Sequence, residues 1–211
     1  ASNQAPEQIV VGVFQNQNNE RYADCDYSVD TGLPNQESAQ FYGFIRDELL
    51  PYLDNNYRTS LFKTIMGNTL TGNFINYFFL EPTPVFNAYI NINPSYAPEM
   101  HQKLEAVSQS LSTQYFYYLC GGDYNTEDRT TAINSVHNLL KLSENENFKY
   151  KYDDFSNSNK TASIGQSVAS AIGFTFQLFA AISQEEFDND IANLEPGDAI
   201  EYLERKYVEI E

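Results

Sequence analysis

Hydrophobic and polar positions change their period several times along this chain. Residues 8–14 are a continuous apolar run around Gly12, the pattern of a strand buried on both faces. Polar residues dominate 15–36, where Gly32 and Pro34 mark a long connection, and connections of that length are often functional. Between 37 and 56, Phe41, Phe44, Ile45, Leu49 and Leu53 recur at helical spacing. A short run at 61–66 reads as a strand, and 71–80 reads as a helix closed by Pro82 and Pro84. A strand follows at 86–92, a helix at 98–110 and a strand at 114–119. Residues 127–142 place Ile133, Val136, Leu139 and Leu140 on one helical face, and 147–153 alternates aromatics as a last strand. A polar loop over 154–163 and a helix over 167–182 complete the pattern. Strands alternating with helices at these lengths predict an α/β fold: a mostly parallel sheet with helices on both faces.

The tail differs. Two acidic helical patterns, 184–193 and 196–209, flank Glu195-Pro196-Gly197. The chain therefore divides into an α/β domain over 1–183 and an acidic helical tail over 184–211.

The stretch most informative about chemistry is Gly67-Asn68-Thr69-Leu70-Thr71-Gly72, where the strand ends, turns sharply and becomes a helix. This is the frame of the nucleophile elbow, Gly-x-Ser-x-Gly, with altered letters. With Ile9-Val10-Val11-Gly12-Val13, Arg21, the block from Phe44 to Asp54, Tyr57-Arg58-Thr59 and the run from Val85 to Ser95, it resembles the putative-esterase family of α/β-hydrolases. That family contains the esterase-D and enterochelin-esterase-like enzymes. The resemblance runs roughly from residue 8 to 182 and implies an α/β-hydrolase fold; chains of this family can continue into helical repeats, so the tail over 184–211 could lead into one. It also implies strands ahead of Ile9 that carry one oxyanion-hole amide, so the N-terminal strands are expected to be missing or shortened, or the chain to be part of a longer protein.

Acyl transfer in this fold needs a nucleophile, a base, an acid that orients the base, and amides for the oxyanion. Thr69 stands at the nucleophile position. If its φ is positive, a β-branched residue there costs about 1–3 kcal/mol. Thr71 stands where the family keeps a small glycine. The family's histidine is expected just before the last helix, but Gly165 of Gly165-Gln166-Ser167-Val168 occupies that place. The chain has two other histidines, His101 and His137, both in helical patterns. Asp123 resembles the family's acid, and reads equally as a turn aspartate making an Asx bond. Leu70, with Asn68 beside it, would supply the remaining oxyanion or ligand contact. Tyr22, Tyr96 and Tyr124 follow strand ends, where open α/β sheets place ligands; they read equally as surface tyrosines.

Composition narrows the classes. A net charge of −17 argues against nucleic acid and anionic membranes, since phosphate contacts need Lys or Arg. No run reaches the roughly 20 apolar residues of a membrane span. Cys25 and Cys120 lack metal-ligand spacing, and no phosphate loop, dinucleotide fingerprint or His-Glu-x-x-His is present, so no metal or cofactor is expected. The reading is an esterase-like protein without a working triad, acting by binding an ester-like or acidic small molecule, or a protein through the acidic tail. The alternative is a carboxylic-ester hydrolase with Thr69 as nucleophile and an unconventional base. The resemblance implies a bacterial periplasmic or exported setting.

Overall fold

The computed structural model describes residues 6–13, 20–122, 126–179 and 181–208. The described residues of 11–168 form one compact unit; those of 1–10 and 169–211 form another.

The larger unit is built on four parallel strands: β1 (Thr64–Asn68), β2 (Ala88–Ile92), β3 (Tyr115–Gly122) and β4 (Phe148–Phe155), in that spatial order. Thr64 pairs with Ala88, Ala88 with Phe116, and Tyr115 with Phe148. Parallel neighbours require crossovers, and helices supply them. These are α4 (Leu70–Phe74) and α5 (Asn76–Phe79), then α6 (Met100–Ser110), then α7 (Glu127–Leu140). Before β1 come α1 (Glu20–Cys25), α2 (Gln36–Gly43) and α3 (Leu50–Asn56). Between α2 and α3 the helix widens into a π turn over Phe44–Leu49. The turn sits immediately before Pro51, which has no N–H to continue the ladder.

Both faces of the central strands are buried, which is why β2 and β3 are mainly apolar, with Asn91 as the polar exception in β2. On one face Tyr89, Tyr117 and Leu119 pack with Phe79, Leu104, Ile133, Val136 and Leu140. On the other, Tyr118 and Cys120 are fully buried, and the Cys120 thiol lies 3.0 Å from the Ser167 hydroxyl on α8 (Lys160–Thr175). Both cysteines are buried thiols, and no disulfide joins them.

Three expectations need correction. Residues 8–13 are not a strand: they are irregular, with Val10 88% exposed. A β-branched run becomes a strand only by pairing, and none of the described backbone hydrogen bonds reaches it. β1 is shifted two residues past the expected 61–66, because its register against β2 carries it through Gly67 and Asn68 into the turn. The expected loop over 154–163 is cut short, since α8 starts at Lys160. Asn159 caps it, its side chain accepting from the Ala162 amide at 3.0 Å. Gly165 therefore lies inside a helix rather than in a loop before one.

In the smaller unit, α9 (Gln184–Glu186) runs into a π turn over Phe187–Ile191, and α10 (Pro196–Val208) follows. Tyr202 of α10 donates to Glu186 at 3.1 Å.

Two glycines give opposite expectations. A Cβ at Gly67 would lie 2.3 Å from the Thr71 carbonyl oxygen, whereas one at Gly165 meets nothing within 4 Å. Gly67→Ala should destabilise the fold by about 3 kcal/mol, the upper end of overpacking costs. Gly165→Ala should stabilise it by up to about 1 kcal/mol through helix propensity. Denaturant midpoints of the two variants check both signs.

Candidate active site

The turn from β1 to α4 is held by backbone first. Thr69 has φ 56° and ψ −115°, a left-handed conformation that a β-branched side chain rarely adopts. Its amide donates to the Ile92 carbonyl at 3.0 Å, and its own carbonyl accepts from Ser95 at 3.0 Å and Asn73 at 3.2 Å. The strain expected of a retained elbow is thus present, and it is fixed by the end of β2, by Ser95 just beyond it and by Asn73 of α4.

Side-chain hydroxyls complete the turn. Thr71 Oγ1 accepts from the Asn68 amide and donates to the Asn68 carbonyl, both at 2.9 Å. At the position where the resembling family keeps a small glycine, the branch of Thr71 carries the hydroxyl that closes the turn. Close packing falls on Gly72 instead, where a Cβ would lie 3.1 Å from the Pro94 side chain. Thr69 Oγ1 donates to that same Asn68 carbonyl at 2.7 Å. Leu70 opens α4, but α4 has five residues, so little macrodipole stands behind its amide.

The remaining positions separate. Gly165 is exposed on α8. His137 of α7 lies 3.0 Å from the Tyr150 hydroxyl through Nδ1, and burial holds its imidazole below the ordinary value of 6.5, helped by Lys141. His101 of α6 lines a cleft of about 370 Å³ with Tyr27, Tyr96, Glu99 and Asp128. Among the described residues no imidazole bonds the Thr69 hydroxyl. Tyr22 is exposed on α1. Tyr96 is buried, with its hydroxyl 3.1 Å from that of Tyr117, so its phenol serves the core. Asp123 and Tyr124 lie outside the described residues. These hold no metal-binding group of three or more His, Cys, Asp or Glu, and no helix long and apolar enough to cross a membrane.

The sequence reading missed the polar network beneath the elbow. Asn76 donates to the Gly72 carbonyl at 2.7 Å and to Asn91 Oδ1 at 2.9 Å, and accepts from Tyr117 at 2.6 Å. Asn73 donates to Tyr77 at 3.2 Å and accepts from the Ala97 amide at 2.8 Å, while Tyr77 donates to the Gly32 carbonyl at 3.0 Å. All three asparagines are fully buried. Their signal was available: Asn73, Asn76 and Asn91 interrupt the most apolar stretches of the chain, and a buried amide needs partners. Burial pushes Tyr77 up to about 12 and Tyr96 and Tyr117 well above the usual tyrosine range, so these phenols stay protonated.

No protein-family profile matches this sequence, and no curated protein does. Solved structures do. An uncharacterised protein from Capnocytophaga ochracea DSM 7271 is 28% identical, with a TM-score of 0.88 over 99% of this chain and 57% of that one. The BES protein from Bacillus cereus is 20% identical, with a TM-score of 0.64 over 78% of this chain and 66% of that one. An IroE-like serine hydrolase from Shewanella oneidensis is 16% identical, with a TM-score of 0.56 over 83% of this chain and 57% of that one. The chain thus spans less than two thirds of the length of each structure. It shares the α/β-hydrolase fold of that serine hydrolase, with four parallel strands among the described residues.

Two outcomes follow from this geometry. Thr71→Val should cost about 1–3 kcal/mol, because it leaves the Asn68 amide without its partner; chemical denaturation measures the loss. The raised phenols act at alkaline pH. Their folded values exceed the unfolded value of 10.0, so their contribution is complete below pH 10 and is lost as pH rises towards the folded values. Absorbance titration should show part of the tyrosine ionising only with cooperative unfolding, and Tyr77→Phe should reduce that fraction.

Proposed function

We propose that this chain is an esterase-like hydrolase-fold protein that has lost acyl-transfer chemistry and acts by binding a small ligand or a protein. The observation that carries the reading is the Thr69 hydroxyl. Its proton is directed to the Asn68 carbonyl at 2.7 Å, and no imidazole bonds it among the described residues. Without a base to accept its proton, a threonine hydroxyl stays a poor nucleophile at neutral pH. The two histidines are placed elsewhere in the fold: His101 lines the cleft with Tyr27, Tyr96 and Asp128, and His137 bonds Tyr150. Gly165, at the position expected for the base, lies in α8. The serine hydrolase from Shewanella oneidensis shares the fold, so acyl transfer is the chemistry against which the loss is judged.

A second reading, a carboxylic-ester hydrolase using Thr69, draws on one observation. The strained conformation at Thr69 has been kept at φ 56°, and strain of this kind clusters at functional sites.

Hydrolysis of p-nitrophenyl acetate distinguishes the two. Turnover should stay within the background of about 10³–10⁴ over water left when triad members are lost, and Thr69→Ala should not change it. Thr69→Ser should not be labelled by a fluorophosphonate, which requires an activated serine. Turnover of about 1–10³ per second abolished by Thr69→Ala would establish the second reading instead.

A further inference from the structure

Away from the elbow, β4 and α7 enclose a second cleft, of about 400 Å³. Phe148, Tyr150 and Tyr152 are alternate residues of β4 and so share one face of the strand. Opposite them stand His137 and Leu140 of α7, with Lys141 just beyond its end. The rings lie nearly parallel. Phe148 and Tyr150 are inclined by 12° at 5.9 Å, His137 and Tyr150 by 29° at 5.9 Å, and His137 and Tyr152 by 26° at 4.1 Å. The hydrogen bond between His137 Nδ1 and the Tyr150 hydroxyl fixes the imidazole in this row. Phe148 is buried at the inner end, while the imidazole and both phenols remain partly open.

The charge at this cleft runs against that of the chain. With 29 acidic and 12 basic residues, an exposed lysine is expected to find a carboxylate. The Lys141 ammonium instead donates to Asn138 Oδ1 at 2.7 Å and makes no ion pair among the described residues. No carboxylate lines the cleft; Glu144 and Glu146 lie on the loop between α7 and β4 and are exposed. His137 is held below its ordinary value by burial and by Lys141. At neutral pH the lysine is therefore the charge that a ligand would meet.

We propose that this cleft binds a flat aromatic anion, an aryl carboxylate, whose ring extends the row of His137, Tyr150 and Tyr152 and whose carboxylate sits on Lys141. Near-parallel rings that stay partly exposed select a planar ring over a branched aliphatic chain, because stacked arrangements add to simple area burial. The unpaired ammonium selects an anion over a neutral or cationic analogue. This site is built from none of the elbow residues, so it stands whether or not Thr69 carries out chemistry.

The chain has only two histidines, which makes the imidazole signals in NMR a direct report. Titration with 2-naphthoate should shift the His137 resonances saturably and raise the pH of their titration, leaving His101 as an internal reference. Lys141→Glu should weaken the affinity by about tenfold or more, since attraction becomes repulsion. Tyr152→Ala should weaken it while Lys141 is retained. 2-Naphthylmethylammonium should bind more weakly than 2-naphthoate. The proposal is overturned if His137 does not respond, if Lys141→Glu binds 2-naphthoate as well as the parent, or if the ammonium probe binds equally. Lys141 is exposed, so its variant should keep the circular dichroism of the parent, and Lys141→Gln gives the charge-neutral comparison.

Discussion

One close approach governs this structure: β1 and α4 meet with no room for a side chain at Gly67. The Thr71 carbonyl stands where a Cβ would be, and Pro94 crowds Gly72 from the other side. That contact forces the chain to reverse within a single residue, and Thr69 takes up the reversal in a left-handed conformation. Strain of that size persists only where neighbours over-determine it. Here they do so through Ile92, Ser95 and Asn73, each bonded to the Thr69 backbone. The asparagine–tyrosine network beneath ties α4 and α5 to β2 and β3. A partly satisfied network of this kind would be worse than an apolar core, and this one is closed at Gly32, Gly72 and Ala97.

The elbow thereby separates two properties that a working hydrolase combines. Its shape depends on glycines and backbone hydrogen bonds, none of which requires a nucleophile. Its chemistry would depend on a base beside Thr69. Thr71 strengthens the first property, because its hydroxyl bridges the amide and carbonyl of Asn68. A turn held in this way keeps its geometry irrespective of what the residue at its apex can do.

Much of the fold could be read from the chain, because period changes report burial. The four strands and the long helices α6 and α7 appeared where apolar spacing changed, and the elbow appeared in its glycine frame. What escaped the reading depends on partners the pattern does not name. Residues 8–13 have the composition of a strand, yet composition does not supply a neighbour. The start of α8 was hidden because Asn159, its cap, sits among polar residues that read equally as loop, and that decided the setting of Gly165. Tyr96 could not be assigned to surface or core from its place after a strand. Its burial depends on Tyr117, brought close by the pairing of β2 with β3. At the elbow itself, residue types were legible and hydroxyl directions were not.

The holding of Thr69 also has a kinetic side. The groups that fix its backbone, Ile92 and Ser95, lie on and just beyond β2, a full crossover downstream in the sequence. A freshly made chain extending only as far as α5 has the Asn73 amide but neither of these two groups to keep that residue left-handed. The turn can lock only when β2 docks beside β1, and non-local pairing of parallel strands is slow because loop closure precedes its reward. The left-handed Thr69 is therefore completed by an assembly event as well as by its own neighbourhood, and until β2 docks two of the three bonds to its backbone are unmade.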